Sequence, residues 1–119
     1  MNIAIVGSRK FANLEADKEA ERAVRDYVRK LPSDTVIISG GARGVDTWAE
    51  HAADDYGLET LIFEANWEAY GKSAGVIRNK EIIANCDRLV AFWDGTSKGT
   101  KHSIEQARII GKPIEVIIL

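Results

Sequence analysis

The chain has 119 residues, of which 45% are apolar and 29% charged, and this composition predicts one globular domain over residues 1–119. The formal net charge of −2 argues against a broad basic face for duplex DNA. No apolar run approaches the ~20 residues of a membrane span, and the single cysteine, Cys86, excludes an internal disulfide and fits a reducing cytoplasm.

Apolar β-branched runs alternate with stretches in which apolar residues recur at helical spacing. The predicted strands are 3–6, 35–39, 59–64, 88–93 and 114–119. The predicted helices are 16–31, 45–56, 76–85 and 100–111. Between the third strand and the third helix, residues 66–75 are predicted to form a loop.

Five strands alternating with four main helices predict an α/β fold, namely a Rossmann-like, doubly wound, three-layer sandwich. The strands are expected to be mainly parallel, because apolar runs of this kind are typical of a sheet that is covered on both faces. Right-handed crossovers favour the strand order 3-2-1-4-5. In such folds ligands bind beyond the carboxyl ends of the strands, at the point where the winding direction reverses.

Three glycine-containing turns follow strands one, two and four, which are neighbours in the predicted order. They read GSR at 7–9, SGGARG at 39–44 and DGTSKGT at 94–100. Glycine lets the backbone approach a ligand closely, successive amides form a nest for anions, and a helix begins directly after the second and third turns. Because each turn also carries a cation, we expect the three turns to converge on a phosphate-bearing ligand.

The candidate ligand-binding residues come from these turns and from the segment 66–79. The turns and their flanks contribute Gly7, Ser8, Arg9, Ser39, Gly40, Gly41, Ala42, Arg43, Gly44, Asp46, Asp94, Gly95, Thr96, Ser97, Gly99 and Thr100. The segment contributes Trp67, Tyr70, Lys72, Arg78 and Asn79. Trp67 and Tyr70 either stack on a base or cap the edge of the core.

No metal site is expected, because neither His51 nor His102 has a second ligand at metal-binding spacing. The turns also lack a GxxxxGK pattern, and the first strand is not followed by GxGxxG. A kinase-like or a standard dinucleotide dehydrogenase function is therefore disfavoured, and no cofactor is expected to be required.

Four motifs together resemble the YspA-type branch of the SLOG superfamily over nearly the whole chain. They are GSRKF, ISGGARGVD with WAEHAA following, W-x-x-YGKSAG-x-x-RN, and AFWDGTSKGT with IEQA following. The resemblance implies a Rossmann-like domain that binds a nucleotide or a nucleotide-derived ligand such as a nucleotide sugar, as a sensor or processing module. The relatives often pair, and apolar residues on the predicted helices are compatible with a homodimer.

One group of relatives, the Lonely Guy (LOG) phosphoribohydrolases, implies a hydrolytic alternative. These enzymes release a base from a nucleoside monophosphate with an Arg-Lys helix segment and a PGGxGTxxE loop. Here Arg78 and Lys80 loosely echo the first element, but Ser103 stands where the loop places its glutamate. Glu105 lies two residues further on, a rotation of about 200° around a helix. Arg78 and Glu105 are the catalytic candidates, and enzymatic activity is left open.

Another group of relatives, the Smf/DprA proteins, implies binding of single-stranded DNA. Their glycine loop is very similar to ISGGARGVD, and Trp67 and Tyr70 could supply the stacking that such binding requires. The net charge of −2 argues against the binding of single-stranded DNA. A small nucleotide ligand is therefore preferred over nucleic acid, and no membrane partner is expected.

Overall fold

A five-stranded parallel sheet forms the centre of the structure, a computed structural model that describes residues 1–119. The strands are β1 (Asn2–Gly7), β2 (Val36–Ser39), β3 (Glu59–Ile62), β4 (Arg88–Trp93) and β5 (Ile114–Ile118). Their order is β3-β2-β1-β4-β5, which confirms the predicted topology. The register pairs Ile5 of β1 with Val90 of β4.

Four main helices and one short helix connect the strands. They are α1 (Leu14–Arg29), α2 (Val45–Asp55), α3 (Trp67–Tyr70), α4 (Ala74–Asn85) and α5 (Lys98–Ile109). None of them has the length and apolar character needed to cross a membrane. The prediction of a loop over residues 66–75 was wrong, because α3, a 3-10 turn at Gly71–Ser73 and the start of α4 occupy it. The Asn66 side chain caps α3 by accepting the Ala69 N–H at 3.1 Å, and a single turn is too short to show helical periodicity.

Helix α1 illustrates how the sequence specifies the elements. Asn13 precedes it, and its side-chain oxygen accepts the Ala16 N–H at 2.9 Å, which satisfies one amide of the first turn. Ala20, Val24 and Val28 recur every four residues and are fully buried. The helix therefore lays one apolar stripe on the sheet and leaves its charged face in solvent.

The sheet separates two apolar cores, as a three-layer sandwich requires. Helices α1 and α2 pack on one face around Ile5, Ile37 and Phe92. Helices α4 and α5 pack on the other face around Ile38 and Leu89. Side chains alternate across the pleat, so adjacent residues of one strand enter different cores. The central strands β1 and β4 are covered on both faces, whereas the edge strand β3 is exposed along its whole length and β5 along most of it.

Candidate functional site

A cleft of about 330 Å³ lies at the carboxyl end of the sheet, where the loops after β1, β2 and β4 meet helix α4. It is lined by Val6, Gly7, Ser8, Arg9, Lys10, Ala42, Asp46, Arg78, Asn79, Ile82, Asp94, Ser97, Gly99, Thr100 and Ser103. Most of these side chains are polar or charged. The three glycine turns therefore converge on a single polar cavity at a topological switch point.

The structure brings about half of the predicted binding residues into this cleft. Those that line it are Gly7, Ser8, Arg9, Ala42, Asp46, Arg78, Asn79, Asp94, Ser97, Gly99 and Thr100. Those that do not line it are Ser39, Gly40, Gly41, Arg43, Gly44, Trp67, Tyr70, Lys72, Gly95 and Thr96. Arg43, the cation at the centre of the second turn, is exposed and lies outside the cleft.

Close packing between the turns accounts for two of the glycines. A Cβ atom on Gly7 would lie 2.3 Å from the Phe92 carbonyl oxygen and 2.6 Å from Val45 Cγ2. A Cβ atom on Gly44 would lie 2.3 Å from the Arg9 carbonyl oxygen. Position 7 therefore needs glycine so that β1 can pack against β4 and α2, and position 44 needs it so that the second turn can pack against the first, whether or not a ligand is bound.

Three amides of the second turn, those of Gly40, Gly41 and Ala42, are satisfied within the protein. The N–H groups of Gly40 and Ala42 donate to Asp46 Oδ2 at 3.2 and 3.3 Å. The Gly41 N–H donates to Ser39 Oγ at 3.4 Å. The concave nest that the sequence predicts here for a ligand anion is therefore held by the side chain of Asp46.

Arg78 fastens helix α4 to the second turn. Its NH1 donates to the Gly40 carbonyl oxygen at 2.7 Å, and its Nε donates to Asn79 Oδ1 at 3.0 Å. The guanidinium also lies close enough to Asp46 for the two charges to interact. Arg78 thus positions the wall of the cleft in addition to lining it.

The third turn is shaped by Asp94. Its Oδ1 accepts the N–H groups of Thr96 and Ser97 at 2.9 and 2.8 Å, and its own N–H donates to Ser8 Oγ at 3.1 Å. Partial burial raises the pKa of Asp94, but the hydrogen bonds from Thr96, Ser97 and Ser8 outweigh burial and hold the pKa below its ordinary value. Asp94 therefore stays ionised at neutral pH and connects the first turn to the third.

Helix α5 begins with an open first turn. Its N-cap residue, Ser97, makes no side-chain capping bond, and the N–H groups of Lys98, Gly99 and Thr100 have no hydrogen-bond partner in the protein. Gly99 and Thr100 line the cleft, and no atom outside the surrounding helix backbone and the two adjacent residues lies within 4 Å of the position that a Cβ on Gly99 would take. The positive end of the helix dipole and its unpaired amides are therefore available to an anion.

The cleft carries charge of both signs. Arg9 and Lys10 are exposed, and neither forms an ion pair. On the side of α2, Asp46 is 6% exposed, and burial raises its pKa from 3.8 to about 6 in spite of hydrogen bonds from Ala42 and Gly40. The cleft thus combines the unpaired cations Arg9 and Lys10 with the carboxylates of Asp46 and Asp94.

The raised pKa of Asp46 predicts a distinct dependence of stability on pH. Because the folded pKa of about 6 lies above the ordinary 3.8, the stabilisation from proton uptake is complete below pH 3.8 and is lost as pH rises through 6. Relative to Asp46→Asn, the wild type should lose about 1.4 kcal/mol of unfolding free energy between about pH 5 and about pH 7.5. Urea unfolding at both pH values measures this, with Asp54→Asn on the exposed face of α2 as a control. Parallel pH profiles for wild type and Asp46→Asn would contradict the prediction.

Glu105, a candidate catalytic residue, and Trp67 and Tyr70, candidate stacking residues, do not line the cleft. Glu105 is exposed and pairs with Lys101 at 4.0 Å on the surface of α5. Trp67 and Tyr70 are 55% and 52% exposed, so they do not cap the core. The Trp67 ring lies beside Gly75, since a Cβ atom added to Gly75 would lie 3.6 Å from Trp67 Cη2. The His, Cys, Asp and Glu side chains form no group of three or more that could hold a metal ion.

Four residues of the cleft were not among the predicted site residues, namely Val6, Lys10, Ile82 and Ser103. Helical spacing could have identified two of them. Ser103 follows Gly99 by four residues on α5, and Ile82 follows Arg78 by four residues on α4, so each shares a helix face with a predicted residue. Ser103 Oγ is engaged in a bond to the Gly99 carbonyl oxygen at 3.3 Å.

A parallel sheet with a polar, glycine-lined cleft at its carboxyl end defines a Rossmann-like ligand-binding domain. The chain belongs to the YspA, cpYpsA-related SLOG family, whose family model matches residues 1–70. It is similar to the Gene 61 protein of Mycobacterium phage D29, with 36% identity over 98 residues that cover 77% of this chain and 78% of the phage protein.

Two solved structures share the fold. DNA processing protein A (DprA) from Streptococcus pneumoniae superposes with a TM-score of 0.72 and 21% identity, over 97% of this chain and 49% of that chain. DprA from Helicobacter pylori, whose structure is described for its single-stranded DNA binding mode, gives a TM-score of 0.67 and 22% identity, over 98% of this chain and 64% of that chain. The present chain thus spans about half of the first protein and under two-thirds of the second.

Proposed function

We propose that the protein binds a nucleotide or a nucleotide-derived ligand in the cleft, with a phosphate group at the N-terminus of α5. The observation that carries this proposal is the open first turn of α5. Three N–H groups without a partner stand beside Gly99, where the surrounding protein leaves a space. Phosphate groups are commonly bound at such helix ends in α/β proteins.

The side chains around this turn support the same assignment. Arg9 and Lys10 extend from the adjacent first turn, and an unpaired guanidinium matches the geometry of a phosphate group. Ser97 and Thr100 add hydroxyl groups to the lining. A volume of about 330 Å³ falls at the lower end of the range for small-molecule sites, which suits a nucleotide-sized ligand.

We place this activity in a cytoplasmic sensor or processing module. A hydrolytic role like that of the LOG enzymes has less support, because Glu105 lies outside the cleft. The two carboxylates inside it, Asp46 and Asp94, both accept backbone N–H groups and brace the turns. Glu105→Ala should accordingly leave any nucleotide turnover unchanged.

Binding of single-stranded DNA is the second candidate, and the exposure of Trp67 and Tyr70 favours it. Exposed aromatic side chains are the platforms on which unpaired bases stack. The fold shared with DprA is compatible with this role. Such binding would depend steeply on salt, because it releases counterions from the strand.

A thermal-shift panel separates the two candidates. AMP, ADP, ADP-ribose, NAD, GTP and a short oligo-dT are each added at a fixed concentration. A ligand at about 100 times its Kd adds about 2.7 kcal/mol and raises the Tm by several degrees. A shift with a mononucleotide or sugar nucleotide supports the proposal. A shift with oligo-dT alone, falling with salt, supports the DNA candidate instead.

Arg9→Ala should weaken nucleotide binding by about 10-fold or more, because it removes an unpaired guanidinium from the phosphate side of the cleft. Arg9 is exposed, so the unfolding free energy should stay within about 0.5 kcal/mol of wild type. Calorimetric titration with the nucleotide identified by the panel measures the loss. Arg22→Ala, an exposed change on α1, serves as the control, and equal affinities for the two variants would place the phosphate elsewhere.

A further inference from the structure

We propose that the cleft recognises a phosphorylated ribose, and that Asp46 Oδ1 accepts a hydrogen bond from a hydroxyl group of that sugar. This inference rests on the proposed nucleotide-binding function and names the part of the ligand that the cleft selects. It makes Asp46 a specificity-determining residue, which favours ribonucleotides over nucleotides that lack sugar hydroxyls.

One oxygen of the Asp46 carboxylate is left free by the protein. Oδ2 accepts the Gly40 and Ala42 N–H groups at 3.2 and 3.3 Å, whereas Oδ1 forms neither a hydrogen bond nor an ion pair. The only buried side-chain nitrogen or oxygen atom without a partner is His102 Nδ1, so Asp46 Oδ1 keeps access to solvent. Because Asp46 is otherwise enclosed, with 6% of its surface exposed, and lines the cleft, Oδ1 is reached from the cleft.

Two free hydrogen-bond donors line the cleft together with this acceptor. Arg78 Nη2 and Asn79 Nδ2 have no partner in the protein, since Arg78 uses Nη1 for the Gly40 carbonyl oxygen and Nε for Asn79 Oδ1. The Arg78 guanidinium lies close enough to Asp46 for the two charges to interact. A sugar hydroxyl both donates and accepts hydrogen bonds, as the hydroxyl of serine does. It therefore fits a site that offers a free acceptor and free donors.

The apolar part of the lining suits a sugar better than a base. Three of the fifteen lining residues are hydrophobic, namely Val6, Ala42 and Ile82, and none is aromatic. Unpaired bases are commonly held by stacking on aromatic side chains, and the exposed Trp67 and Tyr70 lie outside the cleft. We therefore expect the cleft to hold the sugar phosphate and a base to extend out of it.

Ser8 ties the proposed phosphate position to Asp46. Its carbonyl oxygen accepts the Val45 N–H at 3.3 Å, and its Oγ accepts the Asp94 N–H at 3.1 Å. Asp46 follows Val45 at the start of α2, and Asp94 Oδ1 accepts the N–H of Ser97, the N-cap residue of α5. The starts of both helices are thus held against one residue. We therefore expect a sugar bonded directly to a phosphate group at α5 to contact Asp46 as well.

Paired titrations with sugar-modified nucleotides test this inference. The four nucleoside 5′-monophosphates, their 2′,3′-dideoxy forms and ribose 5-phosphate are titrated calorimetrically into wild type. The titrations are made at about pH 8, where Asp46, with its pKa of about 6, is ionised. We expect the best monophosphate to bind about 10-fold or more tightly than its dideoxy form, because a hydrogen bond to a charged group is lost. Ribose 5-phosphate should bind within about 10-fold of that nucleotide, since the base makes few contacts.

Asp46→Asn removes the charged acceptor at the same pH. The amide oxygen of asparagine can take the place of Oδ2 and accept the Gly40 and Ala42 N–H groups, which leaves the NH2 group where Oδ1 stood. A neutral donor then replaces the charged acceptor, so the preference for the hydroxylated sugar should fall to about threefold or less. Asp54→Asn, exposed on the same helix and outside the cleft, should keep the wild-type preference.

The outcomes separate this inference from the proposed function. A dideoxynucleotide that binds wild type as tightly as its parent overturns the role of Asp46 but leaves nucleotide binding intact. An unchanged preference in Asp46→Asn, with folding checked by circular dichroism, does the same. If that variant does not fold, wild type is compared at about pH 5, where protonation of Asp46 should narrow the preference and an unchanged one overturns its role.

Ribose 5-phosphate distinguishes the two sources of a phosphorylated ribose. If it binds and no nucleotide does, the sugar recognition stands and the ligand is a free sugar phosphate. If nucleotides bind and it does not, the base carries the recognition and this inference is overturned. Absence of binding by every nucleotide and by ribose 5-phosphate overturns the proposed function, and this inference with it.

Discussion

Gly99→Ala is expected to weaken ligand binding by about 10- to 100-fold without destabilising the protein. Gly99 lies in the first turn of α5, its φ is not positive, and nothing lies within 4 Å of the added methyl position. Alanine in a helix is favoured over glycine by up to about 1 kcal/mol, so the unfolding free energy should stay equal or rise. The methyl group would nevertheless stand beside the amides that we assign to the phosphate. Loss of binding with retained stability would therefore identify a ligand contact.

Calorimetric titration and urea unfolding of the same preparation measure the two quantities. Lys98→Ala is the matched control, because it changes the adjacent residue of the same helix turn at an exposed position outside the cleft. It should retain affinity to within a fewfold, since only an exposed side chain is removed. Wild-type affinity in Gly99→Ala would show that the phosphate does not bind at the N-terminus of α5.

Gly44→Ala is expected to destabilise the protein by about 3 to 5 kcal/mol. Gly44 has φ +80° and ψ −128°, a region that residues with a Cβ rarely adopt. The new methyl group would also lie 2.3 Å from the Arg9 carbonyl oxygen and 2.6 Å from that of Ser8. Because the atoms closest to the new methyl group belong to the backbone of the first turn, the first and second turns would have to separate.

Gly57→Ala is a control for a positive φ at a position where an added methyl group has space. Gly57 follows α2 with φ +74°, but nothing lies within 4 Å of its Cβ position. This control should cost only about 1 to 2 kcal/mol, the penalty for a left-handed residue. Urea denaturation of both variants gives the comparison. Equal losses would mean that the turns can relax around the added methyl group, and the close packing argument would then be wrong.

The topology could be predicted from the sequence because it depends on patterns that recur along the chain. Runs such as Ile3–Val6 and Arg88–Trp93 mark buried strands, and the alternation with helices leaves few acceptable topologies. The short helix α3 was missed because one capped turn leaves no periodicity to detect. Its signal is local, in the Asn66 side chain, and such signals also occur in ordinary turns.

The location of the candidate site could be predicted from the sequence, but the hydrogen bonds within the site could not be predicted. Three turns on neighbouring strands predict a common edge, and the cleft lies there. The sequence could not show that Asp46 accepts the Gly40 and Ala42 N–H groups or that Arg43 lies outside the cleft, because both depend on side-chain geometry. Likewise, the sequence suggests that Gly44 leaves space for a ligand, whereas in the structure the backbone of the first turn lies beside it.

The strand order has a consequence for how the chain is made. β1 precedes the other four strands of the sheet along the chain, yet it occupies the middle of the sheet, and its partner β4 follows much later, with Ile3 paired to Arg88. Until β4 arrives, one side of β1 offers unpaired amides and carbonyls alongside the apolar residues Ile3 to Val6. An exposed apolar edge of this kind pairs readily with other chains. The nascent protein is therefore most vulnerable to aggregation during the interval between the emergence of β1 and that of β4.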